Sequence, residues 1–181
     1  MEDIVQTGEL ATIREHLGRF RAVTLQSLDR TPPDKLTWSP APGLMSFAGQ
    51  YAHLADVERI YVHGLSGVGW NAVMDAPADP ATIEGLRADL VRVRAATETW
   101  MDALLPATLE DVVLVPWLPV RWPLRSWLWY LVEHELHHKA QLAQYLHMQG
   151  IEAPFFAFVL PPGVRPDKRP VAAQPAEGSP T

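Results

Sequence analysis

Glu133-His134-Glu135-Leu136-His137-His138-Lys139-Ala140-Gln141 places three of the chain's seven histidines in one short stretch. It lies inside an apolar pattern that opens at Leu124, after Pro123, and closes at Gly150, a residue suited to a helix C-terminus. In a helix a four-residue step returns to nearly the same face, at a rise of about 1.5 Å per residue. His134 and His138 therefore share a face, and Trp127, Tyr130, Leu131, Gln141, Leu142 and Tyr145 share it with them. That stripe faces the interior. Two imidazoles there are costly unless something satisfies them, either hydrogen bonds within a core or a metal ion. The i, i+4 pairing favours the metal. His53 lies upstream on a second helical pattern and joins the candidate set only because the pair exists. His137 points off the stripe. His16, His63 and His147 stand alone on helix flanks and read as ordinary structural histidines.

Three further amphipathic patterns precede this one. The first spans about Thr7 to Leu28, with Leu10, Ile13, Leu17, Phe20, Thr24 and Leu28 in one stripe, and stops at Pro32-Pro33. The second follows Pro40-Ala41-Pro42-Gly43, with Ser46 as N-cap, and ends near Gly64. The third begins near Pro80 and runs to Leu105, with Ile83, Leu86, Leu90, Val93, Thr97, Met101 and Leu104 inward. Between the third and fourth, Val112 to Val120 is β-branched and broken by Pro116 and Pro119, which allows a short hairpin and excludes a central strand. Four such helices with little strand signal predict an all-α four-helix bundle over residues 1–160. From Pro161 to Thr181 prolines recur among small and charged residues, which predicts a disordered tail with no catalytic duty.

Composition narrows the function. At 181 residues the chain has the length of one domain with one core. A net charge of −6 with no basic cluster argues against nucleic acid as a partner. The lack of cysteine removes disulfides, thiolate metal ligands and a cysteine nucleophile, and fits a reducing compartment. The N-terminus shows no secretory pattern, and no apolar run approaches the ~20 residues of a membrane span. A cytoplasmic protein is expected. The cluster Trp117, Trp122, Trp127 and Trp129 offers apolar surface beyond what a small core needs, and predicts a homodimer.

His134-Glu135-Leu136-His137-His138 matches H-E-x-x-H, the zinc-protease motif, in which Glu135 would act as general base. Its usual companions are absent. No glycine and third histidine follow shortly downstream, and the only later acids, Glu152, Asp167 and Glu177, lie in or near the proline-rich end.

A wider set of features resembles the DinB/YfiT-like superfamily of metal-binding four-helix bundles. Gln50-Tyr51-Ala52-His53-Leu54-Ala55-Asp56 supplies a helix-two histidine, His134-Glu135-Leu136-His137-His138-Lys139-Ala140-Gln141-Leu142 is close to the family's H-E-x-H-H-R-G-Q-L, and Leu146 to Pro154 is similar to the family's ending. The resemblance covers about residues 8 to 158. Lys139 and Ala140 depart from the commoner Arg-Gly, which leaves a structural role of that arginine open.

The resemblance implies that His53, His134 and His138 hold a divalent metal, with the remaining positions open as in a catalytic site. Imidazole ligands suit zinc, nickel, iron or cobalt. Relatives include transferases and isomerases that use low-molecular-weight thiols such as mycothiol, bacillithiol or glutathione on electrophilic small molecules. A metal with an open position would lower the pKa of the thiol. Two other readings stay open: a metal-dependent hydrolase with Glu135 as base, and a metal-binding or stress-response bundle without turnover. Glu135, Tyr130 and Gln141 lie near enough in projection to touch a ligand histidine or the substrate.

Overall fold

The computed structural model describes residues 2–70 and 81–154. Four helices form a bundle: α1 (Glu2–Arg30), α2 (Phe47–Leu65), α3 (Ile83–Asp102) and α4 (Leu124–Met148). A small antiparallel hairpin, β1 (Val112–Leu114) and β2 (Arg121–Pro123), separates α3 from α4 and pairs Val113 with Trp122. The domain boundary at 160 and the tail 161–181 expected from sequence lie outside the described residues. No helix among the described residues is long and apolar enough to cross a membrane.

Local chemistry sets the helix ends. Ser46 caps α2 by accepting from the Gly49 N–H at 3.1 Å. The start of α3 differs from the sequence expectation: the helix begins at Ile83 rather than near Pro80, because the Thr82 hydroxyl caps it through the Gly85 N–H at 3.0 Å. At the end of α4 the Ile151 N–H donates to the Leu146 carbonyl and the Gly150 N–H to that of His147. This closure needs a left-handed residue at position 150, where glycine has φ +71°. The hairpin is tied to α4 by the Trp127 indole N–H, which donates to the Val113 carbonyl at 3.2 Å.

The bundle has two apolar ends. One gathers Leu10, Ile13, Leu17 and Phe20 of α1 with Val62, Met101, Trp127 and Leu131. The other gathers Leu28 with Phe47, Leu54, Leu86, Leu90, Leu142 and Leu146. Helices α1 and α4 thus run one way through the bundle and α2 and α3 the other, so the close pairs α1–α4 and α2–α3 are each parallel. The chain reverses between α1 and α2 and between α3 and α4.

A polar layer separates the two ends. Arg21, Glu58, Arg94 and Glu135, one from each helix, are 4 %, 4 %, 5 % and 2 % exposed. Arg21 donates to Glu135 Oε1 at 2.7 Å and to Glu58 Oε2 at 2.6 Å. Arg94 donates to Glu58 Oε1 at 2.8 Å and to Glu135 Oε2 at 2.6 Å. The Thr24 hydroxyl reaches Glu135 at 3.0 Å and the Thr97 hydroxyl reaches Glu58 at 2.6 Å. Two cations and two anions balance. Spare guanidinium hydrogens go to the main-chain carbonyls of Leu90 and Leu17. Burial alone would raise the Glu58 carboxyl's pKa, but Arg21 and Arg94 outweigh it and hold it at about 2. Glu135 is lowered for the same reason.

Removing one member strands a buried charge, at a cost of about 3–5 kcal/mol. We expect Arg94→Met to lose stability on that scale in urea titration, far more than a surface change such as Arg19→Met. The acid limb has a defined sign. Glu58 binds its proton at about 2 in the folded protein and near 4.5 when unfolded, so its contribution is complete above 4.5 and vanishes as pH falls through about 2. Unfolding free energy measured from pH 6 to pH 2 should fall along that slope.

Candidate metal centre

Helices α2 and α4 bring His53, His134 and His138 together at their interface, with one ring nitrogen from each within 4.8 Å of the others. Nε2 of His53 and Nε2 of His134 lie 3.1 Å apart. Ring centroids are separated by 5.1 Å (His53–His134), 4.8 Å (His53–His138) and 4.5 Å (His134–His138). His53 and His134 are half-buried and His138 is buried, so the cluster is reachable from one side. Nitrogens on one ion at ~2.1 Å lie up to about 4 Å apart, so small ring rotations complete the convergence.

The rings are held neutral. Burial, then the proximity of His138 and His53, lowers the pKa of His134 to about 3. Burial, His53 and His137 lower that of His138 to about 4, and burial lowers His53. Neutral imidazole is the form that ligates a metal, and each of the three rings has a nitrogen lone pair to give to one cation. The donor set therefore fits a divalent ion of the zinc, nickel or iron type.

The orientation of His138 comes from a residue not singled out in the sequence. The Tyr145 hydroxyl donates to the Met45 carbonyl at 3.1 Å and so accepts from the Gln50 side-chain amide at 3.3 Å. That fixes which way the Gln50 amide faces, and its Oε1 accepts from Nδ1 of His138 at 2.5 Å. His138 therefore carries its proton on Nδ1 and presents the lone pair of Nε2. A relay of this kind sets the tautomer and basicity of a ligating imidazole. One signal was available: Gln50 lies three residues before His53, on the same helix face.

The other candidates divide. Tyr130 is half-buried beside the centre, its ring 5.9 Å from that of His134. Gln141 Oε1 lies close enough to His138 to favour its protonated form, yet this buried atom meets no hydrogen-bond donor. Glu135 faces the ion layer rather than the histidine cluster. It touches no ligand histidine, and both its oxygens are taken by Arg21, Arg94 and Thr24. The reason is geometric: one residue on from His134 turns about 100° around the helix, here toward α1 and the ion layer. Lys139, one turn later on that side, is 2 % exposed with its ammonium 4.3 Å above the Phe20 ring. His16 donates to the Thr12 carbonyl and packs on Phe20 and Trp129, while His137 and His147 are exposed. His63 lies in a different cavity, with Arg59 and Arg92 between α2 and α3.

A model of the DinB superfamily matches residues 16–142. A DinB-like protein from Bacillus subtilis superimposes with a TM-score of 0.67 at 21% identity, covering 80% of this chain and 97% of that one. A DinB-like protein from Bacillus cereus gives 0.66 at 17% identity, covering 79% and 94%. A DinB family member from Shewanella denitrificans gives 0.55 at 14% identity, covering 88% and 97%. At these identities the likeness is one of fold. No curated relative matches the chain.

Gln50→Leu should leave the Nδ1–H of His138 without its acceptor and weaken zinc binding ~10–100-fold. Gln50→Glu keeps an acceptor there and should retain tight binding. Competition against a zinc-chelating dye, with folding checked by circular dichroism, measures both.

Proposed function

The chain belongs to the DinB superfamily, and from that premise we propose that its His53–His134–His138 centre binds a divalent metal and, with a low-molecular-weight thiol such as bacillithiol or mycothiol, serves a transfer or isomerisation on an electrophilic small molecule. The observation that carries this reading is the pairing of a convergent, neutral, one-side-open imidazole set with a neighbouring glutamate that is turned away from it. Such a set leaves ligand positions for a substrate or cofactor. When bound, the ion supplies Lewis acidity that favours the thiolate form of a coordinated thiol.

The chain's own residues supply orientation. His53 and His134 approach from opposite helices, and Gln50 holds His138 with its Nε2 inward. Gln141 adds a buried side-chain oxygen next to His138. The hydrolase alternative asks Glu135 to act as general base, but a carboxylate held in four hydrogen bonds to Arg21, Arg94 and Thr24 has a lowered pKa and no free oxygen to offer. A thiol-dependent reaction requires no carboxylate at that position. We place the protein in the cytoplasm, where such thiols are kept reduced.

Metal analysis of the purified protein should find a divalent ion in near-stoichiometric amount. Added metal should raise the melting temperature by mass action. His53→Ala and His138→Ala should remove most of that rise, while His147→Ala retains it. Monochlorobimane should be consumed only with both metal and thiol present. Glu135→Gln should lower stability in urea yet leave activity per folded molecule largely intact. Hydrolysis of esters or amides without thiol, lost in Glu135→Gln, would overturn the proposal, and metal-dependent stability with no turnover across a panel of thiols would reduce it to a binding protein.

A further inference from the structure

A ladder of aromatic rings leads away from the three-histidine centre at the interface of α2 and α4. Tyr130 lies one helical turn before His134, its ring 5.9 Å from the imidazole. Tyr61 lies across from it at 4.9 Å, tilted by 36°. Trp117, from the hairpin loop, meets Tyr61 edge-on at 6.0 Å, and Trp70 meets Trp117 edge-on at 5.2 Å. Residues from α2, from the turn after it, from the hairpin loop and from α4 thus converge on one surface.

We propose that Tyr61, Trp70, Trp117 and Tyr130 form the binding wall for a flat, uncharged, apolar group of the molecule that reacts at the three-histidine centre, an inference that rests on the proposed function of that centre. Three observations support it. First, the wall is only part-covered: Tyr61 is 5 % exposed, but Trp117 is 51 % exposed, and Trp70 and Tyr130 are half-buried. An indole left so open, and joined to the histidine centre through Tyr61 and Tyr130, has apolar area still to bury. Second, Trp70 is seated by a dedicated glycine. Gly64 sits within α2 without needing a positive φ, where glycine costs about 1 kcal/mol relative to alanine. A Cβ at position 64 would overlap the Trp70 indole, so the glycine is what lets the ring lie flat on the helix.

The third observation concerns charge. The four side chains carry none, and the Tyr61 ring is flanked by those of Tyr130 and Trp117. The wall therefore offers π-faces and neutral phenol and indole edges rather than charges. A cation would also suit π-faces, but three neutral imidazoles around a divalent ion leave about two positive charges beside the wall, which repels it. A conjugated, uncharged electrophile satisfies both constraints, its ring on Tyr130 and the indoles and its reactive atom toward the histidines.

The test separates binding from turnover. 4-Nitrobenzyl alcohol, flat, uncharged and unreactive toward thiols under mild conditions, is titrated into the full chain, metal-free and zinc-loaded, without thiol. Tryptophan emission should be quenched saturably, and Trp117→Ala and Trp70→Ala should each weaken binding about 2–12-fold, the span of ~0.5–1.5 kcal/mol for an aromatic contact. Calorimetry confirms the affinities where emission is lost with the ring. Gly64→Ala should weaken binding as Trp70→Ala does, and Trp70→Ala covers the case in which Gly64→Ala does not fold. Non-saturable quenching, unchanged affinity in both tryptophan variants, or tighter binding of benzyltrimethylammonium would overturn the proposal. So would a dimer in sedimentation velocity that Trp117→Ala dissociates, since a second copy would then cover the wall. Saturable binding with no thiol-dependent turnover leaves the wall standing and removes only the thiol chemistry.

Discussion

Four charged side chains at the centre of the bundle, Arg21, Glu58, Arg94 and Glu135, are the constraint from which the rest of the structure follows. Each comes from a different helix, and each is nearly inaccessible to water. Their pairing is obligatory, because a single unpaired charge at that depth costs several kcal/mol. Apolar side chains slide past one another at modest cost, whereas a bidentate guanidinium tolerates little displacement. The layer therefore sets the axial register of all four helices at once, with an apolar cluster on either side.

That register is what builds the histidine centre. On α4 two pairs at four-residue spacing occupy neighbouring faces: His134 and His138 toward α2, Glu135 and Lys139 toward α1. Locking Glu135 to Arg21 and Arg94 fixes the rotation of α4, and locking Glu58 to the same arginines fixes α2. His53 lies five residues before Glu58 and His134 one before Glu135, so the two imidazoles meet because their neighbours are already held. A residue that reads as a catalytic base in the motif is, in the fold, the anchor that aims the motif's histidines.

The interface of α2 and α4 then has three zones. Gln50, Tyr145 and the Met45 carbonyl close one end and pass a hydrogen-bonded constraint to His138. The histidines occupy the middle. Aromatic rings from the hairpin and from the turn after α2 flank the other end. The hairpin is small, but Trp127 pins it to α4, which gives the Trp117 loop a defined place next to that interface.

Much of this was legible in the sequence. Periodicity, proline breaks and Ser46 marked the four helices, and the spacing of His134 and His138 put them on one inward face. His53 was a candidate only because a pair existed elsewhere, since nothing local distinguishes it from His16 or His63. The ion layer also has a sequence signal: Arg21, Glu58 and Arg94 fall in register with the apolar stripes around them, where a charge needs a partner. Which charge pairs with which depends on helix direction, and the parallel pairing of α1 with α4 comes from packing at both ends of the bundle rather than from any local pattern. Sequence by itself determined the elements and the chemistry each face carries, because periodicity is a property of one helix. Only the tertiary structure decided that Glu135 turns to arginines and that Gln50 holds His138, because each of those contacts joins residues far apart in the chain, and their partners are chosen by how the helices pack.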